Sequence, residues 1–123
     1  MDERRDPTLR VTMLPRDTNA RGTIFGGVIL SHIDLAGAIA AGRVVSQKLV
    51  TRAIHEVDFL APVYVGDVVS LYASVLKQGR TSVAVKVEVE AERSKAPGET
   101  VKVTAAEVVY VAVNDRGEAT PIA

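Results

Sequence analysis

Hydrophobic and polar residues alternate strictly along much of this chain. Between residues 82 and 92, Val83, Val85, Val87, Val89 and Ala91 are interleaved with Lys86, Glu88, Glu90 and Glu92, the period of a strand with one face in water. Residues 8–14 follow the same rule, Leu9, Val11 and Met13 against Thr8, Arg10 and Thr12, until Pro15 stops the run. Further strands are predicted over 49–60, ended by Ala61-Pro62, and over 68–77, after the turn residues Gly66-Asp67. Gln78-Gly79-Arg80 makes a tight turn into 82–92, and Pro97-Gly98 precedes a last strand over 101–113. The second half of that strand, 108–113, is apolar on both faces, so it is central or is covered by another subunit.

One stretch breaks the alternation. From Gly26 the chain reads as a helix to about Ser46, and its middle, Leu35-Ala36-Gly37-Ala38-Ile39-Ala40-Ala41-Gly42, is small or apolar all round. A helix on a domain surface shows one apolar stripe and one charged face, so this one is expected to be enclosed. Glycine in a helix costs about 1 kcal/mol relative to alanine; close backbone approach at Gly37 and Gly42 is the expected compensation. One strand, one helix and four strands on short connections favour antiparallel neighbours. The predicted class is α+β, a five-stranded antiparallel sheet wrapped around one long central helix, in a single domain over 1–123.

Composition narrows the partners. Fifteen basic residues cancel fifteen acidic ones, which argues against nucleic acid or an anionic membrane as the main partner. The absence of cysteine rules out disulfides, thiolate catalysis and zinc–thiolate clusters, and two histidines without clustered carboxylates predict no metal site. The most apolar stretch, 24–45, is interrupted by Ser31, His32, Asp34 and Arg43, a pattern for a buried helix and not for membrane insertion. The charged start, residues 1–7, lacks the apolar core of a secretory signal, so a cytoplasmic protein is expected.

Candidate chemistry gathers at the helix. Gly26-Gly27 open it, where unpaired N–H groups and the positive end of the helix dipole face outward and no Cβ obstructs a substrate oxygen. Such donors could stabilise the oxyanion of an acyl transfer; a lone Gly-Gly is more often only a turn. Asp34 follows inside the otherwise apolar helix, where an unpaired carboxylate is costly. It is either functional, or lies on a wet strip, or pairs with Arg52 or Lys48. Positions 27 and 34 share a helix face but stand about 10 Å apart along the axis, too far for both to reach one reacting group. A two-fold dimer would instead oppose Asp34 of one subunit to the helix start of the other. His32 and His55 fit no Ser–His–Asp order, and each is read as structural or exposed.

The run Asp17-Thr18-Asn19-Ala20-x-Gly22-x-Ile24-Phe25-Gly26-Gly27, then Asp34, then Ala36-Gly37, resembles the signature of the cytosolic acyl-CoA hydrolase family of hotdog thioesterases. Asp58-Phe59-x-x-Pro62, Val65-Gly66-Asp67-Val68 and Gly79-Arg80-Thr81-Ser82 extend the match over residues 13–113. The resemblance implies the hotdog fold, dimers with a joined sheet gathered as a trimer of dimers, and hydrolysis of acyl-CoA to free acid and CoA in lipid metabolism. No cofactor is implied, since CoA belongs to the substrate. It further implies Asp34 as general base or nucleophile, Asn19 holding the thioester or the water, and Gly26 and Gly27 framing the thioester carbonyl. Arg80, Thr81 and Ser82 would contact CoA, with Phe59 also at the substrate. Two departures stand out: the sequence stops at Ala123 where many relatives continue, and Glu107 stands where family members more often carry an apolar residue, read as a paired interface charge ahead of a residue shaping the acyl tunnel. Two other functions remain open, a hotdog hydratase or dehydratase, which needs a catalytic histidine, and a non-catalytic acyl-CoA-binding module, which would bind without releasing thiol.

Overall fold

The computed structural model describes residues 6–123; most of the charged start, read above as carrying no secretory signal, lies outside them. Five strands and one long helix follow in the order β1 (Leu9–Thr12), α1 (Gly26–Gly42), β2 (Lys48–His55), β3 (Val68–Gln78), β4 (Ser82–Glu92) and β5 (Thr100–Val113). The strands form one antiparallel sheet in the order β1-β3-β4-β5-β2. β5 is thus an interior strand, which accounts for its apolar residues on both faces. The sheet curls around α1, which touches β2, β3, β4 and β5, giving the expected α+β architecture.

The alternation in β4 sets the inner layer. Val83, Val85, Val87, Val89 and Ala91 are all essentially inaccessible and meet Ile29, Ile33, Ala36, Ala40 and Ala41 of the helix. Burying a valine or isoleucine side chain contributes about 1.5–3 kcal/mol, so this seam between helix and sheet dominates the core.

Three expectations need correction. The helix ends at Gly42, not near Ser46: the β-branched pair Val44-Val45 leaves it, and Val45 turns into the core. β2 stops at His55, not Leu60, because its ladder with β5 ends there and Glu56 takes a left-handed φ of 54° that turns the chain away. The helix is not enclosed on all sides either. The sheet covers the face carrying Ile29, Ile33, Ala36, Gly37, Ala40 and Ala41, while Leu35, Ala38 and Gly42 on the other face are exposed in the single chain. Of Gly37 and Gly42, only Gly37 is closely approached, by Tyr110; nothing lies near Gly42. No helix among the described residues is long and apolar enough to cross a membrane.

Candidate active site

The loop before α1 is built by its own polar residues. Asn19 Oδ1 accepts hydrogen bonds from the Arg21 and Thr23 amides (2.8 and 3.3 Å), and its Nδ2 donates to Thr23 Oγ1 at 2.9 Å. This Asx-type closure is completed by the Phe25 amide donating to the Asp17 carbonyl. The helix therefore starts at a fixed place, with Phe25 as an N-cap that offers no side-chain acceptor. The Val28 amide turns back onto the Phe25 carbonyl, whereas the amides of Gly26 and Gly27, first in the helix, have no intrahelical acceptor.

Beside them lies an apolar cavity of about 230 Å³ lined by Thr23, Ile24, Gly26, Ile29, Phe59, Ala61, Pro62 and Val63. Phe59 covers Gly26, its ring atoms 3.6 Å from where a Cβ would stand. The segment carrying Phe59 is anchored from both sides: the Leu60 amide donates to the Val103 carbonyl, and Arg93 Nη1 donates to the Pro62 carbonyl. Arg93 is itself held at 2.6 Å by Asp67, whose side chain is 2% exposed and also accepts from the Tyr64 amide. The Arg93 guanidinium stands 4.9 Å from the centre of the Tyr64 ring, within cation–π range.

Asp34 stands elsewhere, on a partly buried stretch of α1 over β2 and β5. It pairs with neither Arg52 nor Lys48; Thr51 Oγ1 donates to its Oδ1 at 2.7 Å. Thr51 lies directly opposite Tyr110 across the β2–β5 ladder, and the Tyr110 hydroxyl donates to the Asp34 main-chain carbonyl at 2.6 Å. Burial, and after it the neighbouring Asp34 carboxylate, hold the Tyr110 hydroxyl well above the usual tyrosine range. It stays a hydrogen-bond donor at any physiological pH.

The remaining candidates are scattered. The turn with Gly79, Arg80, Thr81 and Ser82 lies at the Tyr110 end of the sheet: Ala112 donates to the Thr81 carbonyl and Ile122 to that of Arg80, whose side chain is exposed. His32 Nδ1 meets the Val28 carbonyl at 2.9 Å, a local helix contact, and His55 is exposed at the end of β2. Glu107 stands in register between Lys86 and His55, but Lys86 instead approaches Glu88, at 4.0 Å. One chain thus offers two half-sites: helix-start amides beside an apolar cavity, and a carboxylate fixed by Thr51. The sequence alone does not point to Thr51 and Tyr110, because their link to Asp34 depends on strand register.

The thioesterase superfamily profile matches residues 21–97, and the chain belongs to that family. The chain is 42% identical over 115 residues to the acyl-CoA thioester hydrolase YciA of Escherichia coli, covering 92% of this chain and 87% of that protein. An uncharacterised acyl-CoA thioester hydrolase of Haemophilus influenzae is 43% identical over 116 residues, 93% of this chain and 75% of the relative. Among solved structures, a hexameric hotdog-fold thioesterase of Campylobacter jejuni superposes with a TM-score of 0.88 at 45% identity, over 95% of this chain and 90% of that one. A hexameric broad-specificity acyl-coenzyme A thioesterase gives 0.90 at 40% identity, over all of this chain and 84% of that one. The fold is therefore the hotdog fold.

Proposed function

We propose that this chain is an acyl-CoA thioesterase that hydrolyses acyl-CoA to free carboxylic acid and CoA as a trimer of two-fold dimers. The relatives support the activity and the assembly; the catalytic roles rest on geometry. Asp34, held by Thr51, takes a proton from water as the water oxygen attacks the thioester carbonyl carbon. The oxyanion that forms is stabilised by the Gly26 and Gly27 amides of a second copy, with Asn19 keeping their loop in place. Collapse breaks the C–S bond, and the CoA thiolate leaves and regains a proton. The acyl chain enters the cavity beside Phe59, and Arg80, Thr81 and Ser82 contact the CoA moiety. Direct attack by Asp34, passing through a mixed anhydride, uses the same residues. Neither route requires a metal or a cofactor, and the cytoplasm is the proposed setting.

The observation that carries this reading is the Asp34 carboxylate, oriented by Thr51 on a helix whose other side chains, Ser31 and His32 apart, are apolar. Free-thiol release from a panel of acyl-CoA esters tests it. The wild type should release thiol from at least one ester, and Asp34→Asn should fold and assemble yet lose most of that activity. Near wild-type turnover by Asp34→Asn would remove the carboxylate from the mechanism, and binding without thiol release would indicate a non-catalytic acyl-CoA-binding module.

A further inference from the structure

We propose that Tyr110 is a positioning residue for Asp34, its hydroxyl seated in the space left by the missing side chain of Gly37 and holding the helix at the Asp34 carbonyl. The inference rests on the reading of Asp34 as the catalytic carboxylate. Tyr110 is 1% exposed, and its hydroxyl donates to the Asp34 carbonyl at 2.6 Å. That carbonyl lies within the helix, so one lone pair serves the helical ladder and the other receives the tyrosine. A Cβ on Gly37 would collide with the Tyr110 hydroxyl oxygen and would stand 3.2 Å from its Cε2 and Cζ. Being buried and hydrogen-bonded, the ring cannot swing aside at little cost.

Gly37 follows Asp34 by three positions, one turn along the same face. The glycine that weakens the helix is therefore also what admits the tyrosine to the Asp34 turn. Across the ladder from Tyr110, Thr51 grips the carboxylate of the same residue. Two facing strand residues thus fix Asp34 at its main chain and at its side chain, which removes both translation of the turn and rotation of the carboxylate. Displacing a reacting group by about 1 Å can cost about 100-fold in rate.

The test is steady-state thiol release by Tyr110→Phe, Gly37→Ala, the double variant, and Tyr110→Phe combined with Asp34→Asn, each first checked for assembly and melting temperature. Tyr110→Phe should lower kcat by about 10- to 100-fold with KM within about twofold. Gly37→Ala should do the same alone but add little in the Tyr110→Phe background, where the colliding oxygen is gone. In the Asp34→Asn background, Tyr110→Phe should leave the residual turnover unchanged, because its effect passes through that carboxylate. A kcat for Tyr110→Phe within about twofold of wild type, or the same proportional loss with and without Asp34, would overturn the proposal. Should Tyr110→Phe fail to assemble, Gly37→Ala, which keeps every donor, carries the same division between kcat and KM, and a wild-type kcat in that variant would equally overturn it. Failure of the Asp34 reading shows separately, as near wild-type turnover by Asp34→Asn alone.

Discussion

Replacing Thr51 by valine removes one oxygen, keeps the branched shape that suits a strand, and leaves Asp34 without its 2.7 Å hydrogen bond. A hydrogen bond to a charged group contributes about 1.5–3 kcal/mol, and each 1.36 kcal/mol is tenfold in rate, so full loss from the transition state corresponds to about 10- to 150-fold. Asp34 is only partly buried, so water can replace the lost donor in part. The expected effect is therefore at the lower end, about a tenfold fall in kcat with KM little changed. For the same reason the unfolding free energy should move by less than about 1 kcal/mol. Thr51→Ser, which keeps the hydroxyl, should recover most of the rate. The assay is thiol release under saturating acyl-CoA, alongside urea denaturation of each variant at one protein concentration. A Thr51→Val enzyme with wild-type kcat would refute the reasoning, since the hydroxyl would then do nothing for the carboxylate in the reaction.

Asp67→Ala should destabilise the fold by about 2–4 kcal/mol, as it takes the carboxylate from Arg93, which keeps only the Pro62 carbonyl and the Tyr64 ring, and leaves the Tyr64 amide without its acceptor; chemical denaturation measures this, and a loss below about 1 kcal/mol would show that the pair is dispensable. Gly27→Ala should keep stability within about 1 kcal/mol of wild type, because the added Cβ meets only the tip of the 58% exposed Phe25 ring, yet thiol release should fall sharply; unchanged turnover would remove the helix start from the proposed oxyanion site. Tyr110, with its hydroxyl raised above the ordinary value, favours the folded state fully below about pH 10, and that contribution is lost as pH rises through the range where only the unfolded chain ionises. Wild type should therefore lose stability more steeply than Tyr110→Phe above about pH 10 in denaturation series, and parallel curves would contradict the assignment.

Much of the fold is legible in the sequence because single-face alternation and helix composition are local signals. Residues 82–92 show their inner face outright, and the small residues around Gly37 announce close approach. Legibility fails where an interaction is set by register. Thr51 reads as an ordinary strand residue until β5 brings Tyr110 opposite it, next to an irregularity between Thr51 and Ala53 that no local pattern displays. Asp67 reads as a turn residue beside Gly66, yet it is buried and anchors Arg93 from the far end of β4. Gly42 misleads in the opposite sense, since its lack of a side chain matches no neighbour within the chain. Asp34 and the Gly26-Gly27 helix start are visible as residue types, but their separation, about 10 Å of helical rise, points to a second copy.

The most direct measurement mixes two disabled enzymes. If each site joins Asp34 of one subunit to the helix start of its partner, then Asp34→Asn and Gly27→Val subunits, each inactive alone, form mixed dimers with one intact site and one doubly defective site. Co-assembled in equal amounts, they should regain about a quarter of wild-type activity, because half of the dimers are mixed and each carries one working site of two. Activity that stays at the level of the parents in fully exchanged assemblies would contradict a site shared across the two-fold.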